Sequence, residues 1–209
     1  MKIAVSFIKS KHYEKETVDL INETSADYLH VDIMDGLFVN NKNYDFDDIK
    51  MIVKNNHKPL DIHLMCENPL DYIKDYIKLN PESITFHIEA VHKPLSLINI
   101  LHDNNIKCGL AINPDTSINE ILPYLSSIDK VLVMSVYPGE GGQTFIENTL
   151  DKISRLAEFK GDFLVEVDGG INDETIKKLE NVDIVVSGSY VCMSDDYEKQ
   201  ILSLKNIGV

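Results

Sequence analysis

Short apolar runs rich in β-branched residues recur along the chain at similar intervals: residues 3–7, 28–33, 60–64, 83–87, 107–112, 130–136, 163–167 and 183–186. Between them lie segments whose apolar residues follow helical spacing. Examples are Thr17-Val18-Leu20-Ile21, Leu70-Ile73-Ile77, Leu95-Ile98-Leu101 and Leu150-Ile153-Leu156. Asn172-Asp173-Glu174 carries capping residues that predict a further helix start, with Lys177 and Lys178 further along. Continuous apolar strands alternating with amphipathic helices predict a parallel sheet covered by helices.

Eight strand–helix units in 209 residues leave about 26 residues each, which predicts a compact, single-domain (β/α)8 TIM barrel over residues 1–209. An open doubly wound sheet would need a switch point and usually a glycine fingerprint after the first strand. Here that strand runs into Ser6-Phe7-Ile8-Lys9, without glycine. Hydrophobic content of 44% and charged content of 26% are globular values.

The chain holds 34 Asp+Glu against 20 Lys+Arg, a formal net charge of −14. Such a surface repels a nucleic-acid backbone, so no nucleic-acid partner is expected. Cys66, Cys108 and Cys192 are widely spaced and odd in number, which fits a reducing compartment. The first apolar run is too short for a signal peptide, and no stretch approaches the ~18 apolar residues of a membrane span. A cytoplasmic protein without membrane partners is expected.

In a barrel of this kind chemistry belongs at the C-terminal ends of the strands. Alternation puts His30, Asp32 and Met34 on one face of the second strand and Asp61, His63 and Met65 on one face of the third. Glu166 and Asp168 share a face of the seventh, Ser6 closes the first, and His87 closes the fourth. Two imidazoles and two carboxylates converging on one mouth suit a divalent ion such as Zn²⁺, Fe²⁺, Mn²⁺ or Co²⁺. Asp61 and Glu166 face inward one layer deeper and are read as groups that orient the ligands. His87 is compatible with orienting a neighbour or with a purely structural role. Asp35 precedes Gly36 and reads as a turn residue, while His12, His57, His92 and His102 read as solvated.

Glycines supply the other half of the mouth. The sixth strand ends in Tyr137-Pro138-Gly139-Glu140-Gly141-Gly142-Gln143, the seventh in Gly169-Gly170, and the eighth in Ser187-Gly188-Ser189. Glycine lets backbone N–H groups approach an anion, and loops after the last strands of such barrels often hold phosphate. Gly139-Glu140-Gly141 is not a dinucleotide fingerprint, because Thr144 stands at the third glycine position.

These segments resemble the ribulose-phosphate 3-epimerase family. The resemblance rests on His-Val-Asp-Ile-Met-Asp-Gly (30–36), Asp-Ile-His-Leu-Met (61–65), Thr-Phe-His-Ile-Glu-Ala (85–90) and Gly-Leu-Ala-Ile-Asn-Pro-Asp-Thr (109–116). It continues through residues 131–143, Glu-Val-Asp-Gly-Gly-Ile (166–171) and Val-Ser-Gly-Ser (186–189). It implies a ribulose-phosphate-binding barrel with one divalent metal per subunit, held by His30, Asp32, His63 and Asp168. It implies that Asp32 and Asp168 form the acid–base pair. Ser6, His63, Gly139, Glu140, Gly141, Gly142, Asp168, Gly169, Gly170, Ile171, Gly188 and Ser189 would contact the sugar phosphate, and a homo-oligomer is expected. Met34, Met65 and Met134 read equally as apolar walls of the site or as core.

Inverting the carbon beside a ketone needs a proton removed on one face and returned on the other, which one carboxylate per face provides. The expected reaction interconverts D-ribulose 5-phosphate and D-xylulose 5-phosphate, as in the pentose phosphate pathway. Epimerisation of D-allulose 6-phosphate and an inactive sugar-phosphate-binding regulator are the alternatives. A decarboxylase of the Asp-x-Lys-x-x-Asp type is disfavoured by Met34 at the lysine position. Three positions depart from the family pattern: Asn40-Asn41 with the polar stretch 42–48, Glu140, and Tyr190 after Gly188-Ser189.

Overall fold

The computed structural model describes residues 1–159 and 161–208. Its strands are β1 (Lys2–Ser6), β2 (Tyr28–Met34), β3 (Leu60–Met65), β4 (Ser83–His87), β5 (Lys107–Ile112), β6 (Lys130–Met134), β7 (Leu164–Asp168) and β8 (Ile184–Ser187). All are parallel and pair in chain order, and β8 pairs back onto β1 with Ile3 opposite Val185. The result is the (β/α)8 barrel that the alternation predicts. Every residue of β2, β3, β4 and β6 is buried, as a sheet covered on both faces requires.

The covering helices are α1 (Glu14–Asn22), α2 (Phe46–Ile52), α3 (Pro69–Tyr76), α4 (Pro94–Asp103), α5 (Thr149–Leu156), α6 (Ser189–Cys192) and α7 (Tyr197–Ile207). Local chemistry sets their starts. Proline opens α3 and α4, where its missing N–H costs nothing. Asp45 and Asp48 form a reciprocal capping box that begins α2 inside the polar 42–48 stretch. In α4, Leu97, Ile98 and Leu101 turn towards the sheet and are buried. Truncating Leu101 to alanine would cost about 2–5 kcal/mol.

Two connections differ from the pattern. After β7 the expected helix is a single 3₁₀ turn, Ile176–Lys178. Asn172 Oδ1 accepts from the N–H groups of Glu174 and Thr175 as a cap should, but Asn181 already turns the chain back at φ 59°, leaving no room for a second turn. Between β5 and β6 two 3₁₀ segments, Ile118–Glu120 and Leu122–Ser127, replace an α-helix. Ile77 likewise falls just past α3, in the 3₁₀ turn Ile77–Leu79. Several strand ends shift by a residue or two, and β7 extends to include Asp168.

The main apolar core lies between sheet and helices. Inside the barrel, Ala4, Tyr28, Ile184 and Val186 form a separate apolar cluster. Polar side chains of β2, β3, β6 and β7 occupy another part of the interior and lead to the C-terminal mouth. No helix among the described residues is long and apolar enough to cross a membrane. The three cysteines are buried and free.

Candidate active site

Strand register assembles the site. β2 and β3 pair with His30 opposite Asp61 and Asp32 opposite His63, while β6 and β7 set Met134 opposite Asp168. Asp32 Oδ1 lies 3.3 Å from His30 Nε2 and 3.2 Å from His63 Nδ1. Asp168 Oδ2 lies 4.0 Å and 3.8 Å from the same two nitrogens. One donor atom from each of these four residues falls within 4.8 Å of all the others.

The surroundings decide which nitrogen of His30 faces this point. Asp61 Oδ2 lies 2.8 Å from His30 Nδ1, so that nitrogen carries the proton. His30 Nε2 is then left buried without a hydrogen-bond partner among the described residues. An orphaned imidazole nitrogen facing two carboxylates is an arrangement that a cation completes. The nitrogen and oxygen donor set, without thiolate, fits the divalent ions expected from the sequence.

Asp61 and Glu166 belong to a buried cluster around Lys130. Asp61 Oδ1 accepts from Ser83 Oγ at 2.5 Å and from the Lys130 ammonium, which also lies 2.6 Å from Glu166 Oε2. Asp61 orients His30, as its strand phase suggests, whereas Glu166 meets Lys130 instead of a ligand. Burial works to lower the Lys130 pKa, but Asp61 and Glu166 outweigh it and raise it. Burial and the neighbouring Asp61 push Glu166 up to about 8. Burial thus favours the protonated form of Glu166, and Asp61 is the stronger counter-charge to Lys130. The sequence pattern places Lys130 only as the first residue of the sixth strand, with no role, although 130, 132 and 134 alternate in phase and a lysine opening an apolar strand was a usable signal.

The two mouth carboxylates differ in protonation. Burial opposes ionisation of Asp32, but His30 and His63 hold it well below the usual carboxylate range. Burial and the Asp32 charge push Asp168 up to about 7. Ser6 Oγ donates to Asp32 Oδ2 at 2.7 Å, which fixes the carboxylate's rotation. Burial takes His63 down to about 4 and keeps it neutral. His87 resolves into an orienting role, since its Nε2 lies 2.9 Å from His63 Nε2.

Above these groups opens a cleft. Met34, Met65 and Met134 line it beside Asp32 and Asp168, and they are also almost fully buried, so wall and core are one surface here. Ser6, Glu140, Ile171, Gly188, Ser189 and the glycines at 139, 141, 142, 169 and 170 line it too. His63, expected at the substrate, is fully buried and is not among the lining residues. A Cβ on Gly169, at φ +121°, would sit 2.4 Å from Val136 Cγ2, and one on Gly170 2.6 Å from the Phe145 nitrogen. Only glycine keeps this wall open.

The departures from the family pattern have distinct surroundings. Asn41 Nδ2 donates to the Gly139 carbonyl at 2.7 Å, tying the 40–48 loop to the glycine loop. Asn43 bridges the end of β2, donating to the Asp32 carbonyl and accepting from Met34 N–H. Tyr190 packs against the outer core, while Glu140 is exposed at the rim. Lys9, unassigned in the sequence reading, donates to the Gly141 carbonyl at 3.2 Å and pairs with no carboxylate among the described residues. Asp35 acts as a turn residue, accepting from the N–H groups of Leu37, Phe38 and Glu67. His57, His92 and His102 are exposed and His12 is partly exposed.

The family model described as "Ribulose-phosphate 3 epimerase family" matches residues 2–192. The chain belongs to the ribulose-phosphate 3-epimerase family. It is 37% identical over 215 residues to ribulose-phosphate 3-epimerase of Helicobacter pylori strain J99, covering 99% of this chain and 98% of that protein. The protein of the same name from Mycobacterium tuberculosis strain H37Rv is 37% identical over 186 residues, covering 86% and 81%. The chain is thus an isomerase of the epimerase class. Among solved structures, KGPDC from Streptococcus mutans superposes with a TM-score of 0.74 at 16% identity, covering 99% of this chain and 96% of that one. That likeness bears on the barrel fold alone.

Proposed function

We propose that this family member inverts C3 of D-ribulose 5-phosphate to give D-xylulose 5-phosphate, by proton transfer between two carboxylates through a 2,3-enediolate. The observation that carries the reading is the pairing of Asp32 from β2 with Asp168 from β7 at one mouth, one ionised and the other with its pKa near neutrality. Acid–base partners are recognised by environments that push their pKa values apart.

Asp32 accepts the C3 proton from one face of the sugar, and Asp168 returns a proton to the other. The reverse reaction exchanges the roles. Ser6 holds Asp32 in place for the transfer. The methionine walls exclude water and lower the local dielectric, which strengthens every charge interaction in the cleft. His30, Asp32, His63 and Asp168 would hold one divalent ion. When bound, such an ion supplies electrostatic stabilisation of the oxyanion charge that develops on the substrate. The glycine loops offer backbone N–H groups to the phosphate.

The test is proton exchange in D₂O with purified enzyme. Deuterium should appear at C3 of recovered sugar phosphate, and Asp168→Asn should abolish turnover while leaving the circular dichroism spectrum unchanged. Wild-type turnover by Asp168→Asn would sink the mechanism. A higher kcat/KM for D-allulose 6-phosphate than for the pentulose would reassign the substrate and leave the chemistry intact.

A further inference from the structure

Glu89, in the 3₁₀ turn Ile88–Ala90 after β4, stands at the far end of a line of side chains that reaches the carboxylate pair. Its Oε2 lies 3.2 Å from His87 Nδ1. His87 Nε2 lies 2.9 Å from His63 Nε2, and His63 Nδ1 lies 3.2 Å from Asp32 Oδ1. Both imidazoles are fully buried, with ring centroids 5.0 Å apart.

Counting protons along this line orders it. A carboxylate stands at each end, and an ionised carboxylate only accepts. With one N–H on each imidazole, two protons are shared among the three contacts, and one contact goes without. The carboxylate at either end calls for a proton, but a cation between His63 Nδ1 and Asp32 excludes one there, so the His87 proton lies on Nδ1 facing Glu89 and His87 Nε2 accepts. His63 must then carry its proton on Nε2. That leaves His63 Nδ1 with a bare lone pair facing Asp32, the one contact without a proton and the one where a cation fits.

We propose that Glu89 is a positioning residue that selects, through His87, the tautomer of His63 able to bind the metal. The inference rests on the metal-centre reading above. Glu89 itself is held in register: its Oε1 accepts from Asn113 N–H at 2.8 Å and from the Thr116 hydroxyl. In Glu89→Gln those two donors keep the carbonyl oxygen, so the NH₂ group turns to His87 Nδ1. Every proton in the line then reverses, and His63 Nδ1–H donates to Asp32. The nearly isosteric variant satisfies the line without a cation and places a proton where the ion would sit.

Two measurements on the full chain test this: Zn²⁺ affinity by chelator competition, and long-range ¹H–¹⁵N correlation of the histidine rings. Wild-type protein should show His87 protonated on Nδ1, and His63 on Nε2 when zinc is bound. Glu89→Gln should reverse both in the metal-free state and weaken zinc about 10–100-fold. In a His87→Phe background, where Phe38 still has a ring to pack on, the same Glu89→Gln change should alter zinc affinity by less than about twofold. An equal loss in both backgrounds would mean that Glu89 merely holds the Asn113–Thr116 loop, and the proposal falls. Unchanged tautomers in Glu89→Gln overturn it as well. Failure of the wild type to bind any divalent ion defeats the metal reading instead, and in that protein a His87 proton on Nε2 would separately overturn the assignment.

Discussion

Lys130 of β6 and Glu166 of β7 meet inside the barrel, with Nζ 2.6 Å from Oε2 and both side chains buried. The same ammonium contacts Asp61, and Asp61 holds His30. A lysine that never reaches the substrate cleft is thus two contacts away from a candidate metal ligand. Lys130→Met should destabilise the protein by about 3–5 kcal/mol, because it leaves Asp61 buried without its cation. Adding Asp61→Asn should recover most of that loss in urea unfolding. A single variant as stable as wild type would remove Lys130 from the account.

Ser6 tests whether the orientation of Asp32 matters apart from its charge. Ser6→Ala removes the 2.7 Å hydrogen bond and should lower kcat about tenfold, the size of one charge-assisted hydrogen bond, with a smaller change in KM. Steady-state kinetics in both directions measure it. A change confined to KM would instead assign Ser6 to substrate binding.

Metal-free protein should lose stability as pH rises between 6.5 and 8. Asp168 and Glu166, raised to about 7 and about 8 by burial and by neighbouring carboxylates, are protonated in the fold at pH values where the unfolded chain is ionised. His30 is opposed by burial but raised overall by Asp32 and Asp61 above its ordinary 6.5. All three contribute stability that is present at low pH and lost as pH climbs through the folded-state values. His63, depressed to about 4, has the opposite sign, but its contribution is already complete above 6.5. Metal affinity should move the other way and tighten at least about tenfold per pH unit up to about 7, because bound protons must leave. Denaturation of chelated protein and zinc titration across this range check both signs. Stability that increases with pH in the metal-free protein would contradict the assignment.

The rim of the glycine loop carries charges of both signs, Lys9 and Glu140. Lys9→Met should raise KM for the sugar phosphate about tenfold at low salt with kcat unchanged, a shift that added salt reduces. Glu140→Phe should lower KM. Initial rates over a salt series decide the matter, and a Lys9→Met enzyme with wild-type KM would place the phosphate beyond its reach.

Much of this protein can be read along the chain because strand geometry is local. Alternation put His30 with Asp32, Asp61 with His63 and Glu166 with Asp168, and the barrel brings those faces to one mouth. Asp35 before Gly36 was recognisable as a turn residue, and Asn172 as a cap. The helix expected after Asn172 failed because capping chemistry starts a helix without setting its length; the short return to β8 does that.

Residue order along the chain was therefore enough for the barrel and for the phases of β2, β3 and β7, since these follow from periodicities of two and 3.6 residues, while the family resemblance singled out the four groups at the mouth. Closure decided the rest. Lys130 reaches Asp61 across the barrel interior, and Glu89 acts on His63 only through His87. Those contacts join strands and loops at a distance set by the finished barrel. They determine which carboxyl keeps a proton and which imidazole nitrogen is bare, because burial removes the water that would otherwise satisfy either choice.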